Sequence, residues 1–155
     1  MRVQALMDAV TGRIQEKWPG EPVYTNYLPN DFKSPSFTLE LQRDEWKDGN
    51  IILVQRAVTL LLTGYVEPDP YGDSAREALN QRMETACGLF AQGFLPVGDR
   101  AVPVRTVRGN GAPGFFEVTL IFSWMDERPS VSGSDDPSGK TPMMERYKLN
   151  ILTKE

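Results

Sequence analysis

The segment NIILVQRAVTLLLTGYVE, residues 50–67, decides the fold. It carries too many β-branched and leucine side chains for a loop, and the first proline comes only at Pro68. Ile52, Val54, Val58, Leu60, Leu62 and Val66 share one parity, which in an extended chain is one face. The opposite parity is mixed: Gln55, Ala57, Thr59, Leu61, Thr63 and Tyr65. Arg56 interrupts the apolar parity and predicts that the first part of the strand reaches past the covered core. Gly64 predicts a bulge or a close backbone approach. No polar stripe recurs at helical spacing. The segment therefore reads as a long central strand, with helices over one face and the other face partly exposed or used for contact.

Working outward, residues 2–18 predict an amphipathic helix, because Val3, Leu6, Met7, Val10, Ile14 and Trp18 recur at steps of three and four. Pro19 and Gly20 end it. A short strand is expected over 23–27 and another over 36–43, where Phe37, Leu39 and Leu41 alternate with Thr38, Glu40 and Gln42. Residues 44–50 read as a charged hairpin loop with Trp46 at its tip, either folded back on the sheet or anchoring a partner. Beyond the central strand, Asp69, or Ser74 with Glu77, caps a second helix whose buried stripe is Ala75, Leu79, Met83, Ala86, Cys87, Phe90 and Phe94. Residues 96–99 turn the chain into a short strand over 102–107. A turn over 109–114 then leads to a second long strand, 115–126, with Phe116, Val118, Leu120, Phe122 and Trp124 on one face and Glu117, Thr119 and Ser123 opposed. The expected class is α+β: a mostly antiparallel sheet of about five strands in the order α-β-β-β-α-β-β, both helices on one face.

Residues 1–128 are expected to form this domain, 129–142 (PSVSGSDDPSGKTP, from Pro129) a flexible linker, and 143–155 a docking arm. The arm regains apolar residues at Met143, Met144, Tyr147, Leu149, Ile151 and Leu152, which a purely solvated terminus does not need.

Composition narrows the function classes. The 155 residues carry 17 basic and 21 acidic side chains, a net charge of −4, which disfavours nucleic acid as the main ligand. The sequence has no histidine, so the commonest general base and transition-metal ligand is missing. Cys87 is alone, which excludes an internal disulfide and a thiolate metal cluster. It fits a small core residue on the second helix. No apolar run is long enough to cross a membrane and no signal pattern opens the chain, so cytosolic synthesis is expected.

The local motifs dissolve on inspection. Gly139-Lys140-Thr141 ends like a phosphate-binding loop, but Ser134 stands where its first glycine belongs, and Asp135 and Asp136 repel phosphate. Gly109-Asn110-Gly111 is satisfied by a turn. Glu67, Asp69 and Asp73 lack calcium-ligand spacing and suit helix capping. Asp44, Glu45 and Asp48 are interleaved with Arg43 and Lys47, as in a solvated loop. Serine nucleophiles have no histidine to activate them. No catalytic constellation and no cofactor site emerges, and an enzyme is the least favoured class.

Longer phrases carry more. YTNYLPNDFKSPSFTLELQ (24–42), RAVTLLLTGYVEPDPYGDSAREAL (56–79), GFFEVTLIFSWMDERP (114–129) and MMERYKLNI (143–151), in this order of elements, resemble the tail terminator family of long-tailed bacteriophages and prophages. The resemblance covers nearly the whole chain and rests on hydrophobic pattern and turn residues. It implies a homo-oligomeric ring, typically hexameric, at the head-proximal end of the virion tail and in the host cytoplasm during assembly. The ring would cap the tail tube, stop its polymerisation and offer a surface to the head-completion connector. Its partners would be itself, the major tail tube protein and the connector, with genomic DNA passing through unbound and no membrane involved. Within that picture the expected contact residues are Trp46, Gln55, Thr59, Leu61 and Tyr65 on the domain and Met143, Met144, Tyr147, Leu149 and Ile151 on the arm. Two alternatives stay open: a head-tail connector or neck protein, and a small-molecule-binding regulatory α+β domain.

Overall fold

A computed structural model describes residues 1–66 and 76–129. The elements are α1 (Val3–Lys17), β1 (Val23–Thr25), β2 (Ser36–Asp48), β3 (Leu53–Tyr65), α2 (Arg76–Leu89), β4 (Phe94–Val97), β5 (Arg100–Ala112) and β6 (Phe115–Glu127). The class is α+β, with two helices against a single six-stranded sheet in the order β1-β2-β3-β6-β5-β4. All pairings are antiparallel except the first, β1 with β2.

The central strand lies where its pattern puts it. β3 pairs with β2 on one side and β6 on the other, so its backbone groups are satisfied across the middle of the sheet. Val58, Leu60 and Leu62 are fully buried, and their neighbours Phe122, Leu120 and Val118 continue the same rows. Over this face lie Leu6, Met7, Val10 and Ile14 of α1 with Leu79 and Ala86 of α2, closing one core. Gly64 resolves to a close approach: a Cβ there would collide with the Phe116 ring, which stands edge-on to Phe37 at 6.3 Å.

Several boundaries differ from the sequence reading, each for a physical reason. Residues 44–48 are not loop, because β2 keeps pairing with β3 through Asp48 after a bulge between Leu41 and Arg43. That bulge reverses which parity faces the helices, so simple alternation loses the strand there. β5 runs from Arg100 to Ala112, not 102–107, because its polar outer half is held by the ladder with β6 and not by burial. A sixth strand, β4, occupies residues assigned to the end of the second helix and a turn. Phe94 accordingly leaves the helical stripe and is 48 % exposed, while Leu95 and Val97 face the core. The first strand stops at Thr25, where Asn26 takes a φ of 63°. Ile52 precedes β3 and is 70 % exposed.

Arg56 is the largest correction. Its apolar parity does not carry it past the core; it is 4 % exposed. Trp46, Arg56 and Trp124 are cross-strand neighbours in one row, with the guanidinium 4.1 Å from the Trp46 ring centre and 5.0 Å from that of Trp124. Arg56 also donates to Asp44 at 2.8 Å and to Asp126 at 3.4 Å.

Elements repeat where the sequence shows no repeat: helix plus three strands, twice, joined by the β3–β6 pairing at the middle. The halves differ at their first strands, since β1 runs parallel to β2 and β4 antiparallel to β5. A parallel pair needs a crossover. Residues 26–35 supply it, and Phe32 lies 5.2 Å from the Tyr65 ring. The expected caps Asp69 and Ser74, the acidic group Glu67, Asp69 and Asp73, the linker from residue 130 and the arm 143–155 lie outside the described residues.

Candidate assembly surface

The sheet face turned away from the helices is built by the parity that the core does not use. Register aligns it in rows: Tyr65 with Phe115, Leu61 with Thr119, Thr59 with Ile121, Ala57 with Ser123, and Gln55 with Met125. β2 extends these rows with Glu40, Arg43, Glu45 and Lys47, and β5 with Arg108 and Thr106. Leu61, Thr59, Tyr65, Phe115 and Ile121 are half-buried, while Thr38, Thr63 and Ser123 on the same face are buried; Phe32 of the crossover lies against Tyr65, and Arg105 donates to Ser123 Oγ at 2.6 Å. Gln55 is exposed and Met125 is 43 % exposed. At one end the rings of Phe32, Tyr65 and Phe115 follow one another at 5.2 and 6.3 Å. An apolar and threonine-rich centre is thus bordered by charged side chains on β2 and β5.

Among the expected contact residues, Gln55, Thr59, Leu61 and Tyr65 come together on this face. Trp46 does not: it lies on the helix side, stacked on Arg56 with half its surface exposed. Met143, Met144, Tyr147, Leu149 and Ile151 lie outside the described residues. Sequence reading missed the matching contribution of β6, namely Phe115, Ile121 and Met125. The signal was present, since these three share the parity of Glu117, Thr119 and Ser123.

A second missed feature is the β2–β3 tip. Ile51 and Ile52 are 69 % and 70 % exposed. They are held by a tight turn in which the Asn50 side-chain oxygen accepts from the N–H groups of Ile52 at 2.8 Å and Leu53 at 2.7 Å. Arg128 braces the turn, pairing with Asp48 and donating to the Asn50 carbonyl at 2.6 Å.

Electrostatics concentrate at the same end. Asp126 is approached by the Met1 ammonium at 2.6 Å, by Arg56 at 3.4 Å and by Arg100 at 3.6 Å. Burial raises its carboxyl pKa, but the ammonium, the Trp124 N–H and Arg56 together hold it down at about 2. Cys87 packs beside the core, and burial followed by Glu84 pushes its thiol up, away from nucleophilic character.

Two open hollows mark the surface. One of about 370 Å³ is lined by Gln55, Arg100, Val102, Arg105, Trp124 and Met125. The other, about 800 Å³, lies on the surface beside α1, the end of α2 and β4 and is lined by Arg13, Glu16, Lys17, Leu89, Gln92 and Pro96. Among the described residues no three His, Cys, Asp or Glu side chains are grouped to hold a metal, and no helix is long and apolar enough to cross a membrane.

No family model and no curated protein matches the sequence. Among solved structures, one matches over 84 % of this chain and 98 % of its own, at 16 % identity and a TM-score of 0.46.

Proposed function

We propose that the protein is a ring-forming tail terminator of a long-tailed phage or prophage. The observation that carries the reading is the sheet face turned away from the helices, where the half-buried Leu61, Tyr65, Phe115 and Ile121 and the exposed Met125 are framed by charged residues on β2 and β5. A face of this kind suits protein contact: an apolar core for affinity, a polar rim for register. Together with the phrases that resemble the terminator family, it favours self-association over catalysis.

Around a ring each subunit contacts the next through two different patches, and rotation closes the set. The closed ring presents one end to the last ring of tail tube protein and the other to the head connector, which ends polymerisation. A net charge of −4 discourages DNA from adhering as it passes. Mixing the protein with polymerising tube protein tests this. Tubes should stop at a defined length and carry extra density at one end, and Leu61→Asp with Ile121→Asp should abolish both effects without unfolding the domain. Tubes that keep lengthening in the presence of the native protein contradict the reading. A neck protein would bind the connector and leave tube length unchanged.

A further inference from the structure

The outer edge of β2 is covered along its first half only. β1 pairs with Phe37, Thr38 and Leu39, and Asn26 reaches one step further, its side-chain oxygen accepting from the Leu41 N–H at 3.4 Å. Past the bulge, residues 43–48 have β3 on one side and, among the described residues, no strand on the other.

Which backbone groups this leaves open follows from alternation. The Gly49 N–H bonds the Leu53 carbonyl at 3.2 Å, so Gly49 points to β3. Successive residues of a strand point to opposite sides. Lys47, Glu45 and Arg43 therefore also point to β3, whereas the N–H and C=O groups of Asp44, Trp46 and Asp48 point out of the sheet. Trp46 stands on this edge, stacked on Arg56 with half its surface exposed. An open edge that carries a half-exposed indole is a template for another strand.

The charges along the edge choose the strand. When two copies of β2 pair antiparallel about a two-fold axis through Trp46, the outward-pointing residues meet as hydrogen-bonded pairs: Trp46 with Trp46, and Asp44 with Asp48 of the other copy. Between them Glu45 falls opposite Lys47 of the other copy, twice by symmetry, on the face away from the helices. The facing carboxylates are not bare, since Asp44 already binds Arg56 at 2.8 Å and Asp48 binds Arg128. Other registers fail. An axis at Glu45 sets Glu45 on Glu45 and Arg43 on Lys47, an axis at Lys47 sets Lys47 on Lys47, and an axis at Asp44 brings Trp46 onto the bulge after Leu41. Charges that deter random pairing thus permit one self-pairing.

We infer that the free edge of β2 binds the same edge of a second copy of this chain, joining two six-stranded sheets into one across a Trp46–Trp46 contact. The contact uses a sheet edge and pairs chains two by two, so it does not rest on the ring, which uses the sheet face.

Sedimentation equilibrium on the full-length protein tests it. The native chain should show a concentration-dependent monomer–dimer equilibrium. Glu45→Lys and Lys47→Glu, each alone, turn both symmetry-related pairs from attraction to repulsion and should raise the dimer Kd at least about fivefold. Mixed one to one, the two variants again face each other with opposite charges and should recover the native affinity. Leu61→Asp, on the sheet face, should leave the dimer intact. A native chain that stays monomeric up to about 0.5 mM overturns the proposal. So does a dimer indifferent to either reversal, or a mixture of the two variants that fails to recover. Ring-sized assemblies that form equally well with Glu45→Lys keep the ring and overturn the edge contact.

Discussion

Arg56 shows how a single charged side chain can be read wrongly from its position in a pattern. On an apolar parity it suggests an end to the core, yet the fold buries it between two indoles and two carboxylates. Removing one member of such a cluster leaves the others desolvated and unpaired. Arg56→Met should therefore lower the unfolding free energy by about 3–5 kcal/mol, measurable by urea denaturation. Asp126 gives the cluster its pH dependence. Its carboxyl is held at about 2 in the folded protein, below its ordinary value of 3.8, so the unfolded chain takes up the proton first as pH falls. The stabilisation is complete well above 3.8 and is lost as pH drops from there through about 2. Asp126→Asn should remove that part of the acid dependence while lowering stability at neutral pH, which thermal unfolding across pH 2–7 reads directly. Gly64 behaves oppositely, since its role was visible as a glycine inside a strand. Gly64→Ala should cost about 1–3 kcal/mol, because the new methyl meets the Phe116 ring in a packed core.

At the scale of elements, strand existence was legible and strand length was not. β3 and the core side of β6 were readable because each buries one full parity, and burial is what hydrophobic pattern records. The second half of β2 and the ends of β5 are held by backbone ladders with exposed side chains, which leave no apolar trace. β4 escaped because its apolar residues continue the spacing of the preceding helix, and only the Gly93 turn, at a φ of 91°, separates them. The β2–β3 tip follows the same logic in reverse, as apolar residues that are not core. Ile51→Ser and Ile52→Ser should each change stability by no more than about 0.5 kcal/mol, since both side chains are already in water. Any loss of self-association or tube capping in these variants would then report contact, not folding.

For the whole molecule, the decisive joint is β3 with β6, which links the two α-β-β-β halves across the chain's greatest sequence separation within the sheet. Sheets closed by such distant pairing fold slowly, so refolding from urea should take milliseconds to seconds rather than microseconds, as stopped-flow fluorescence of the tryptophans would show. Leu120→Ala, at the centre of that joint, should cost about 2–5 kcal/mol. Four of the expected contact residues share one face because strand parity is a local property, and the sequence alone could bring Gln55, Thr59, Leu61 and Tyr65 together. Their partners on β6 and the rim on β2 and β5 needed register, which depends on bulges after Leu41 and Val104 that no periodicity announces. The sequence by itself thus determined the class, the two helices and the two central strands, because side-chain burial at fixed period is written residue by residue. Tertiary structure alone decided that Arg56 is buried, that the two α-β-β-β halves meet through β3 and β6, and that β5 leaves β6 at Pro103 to pair with β4. Each of these depends on what a strand meets across the sheet, and that neighbour lies far away in the chain.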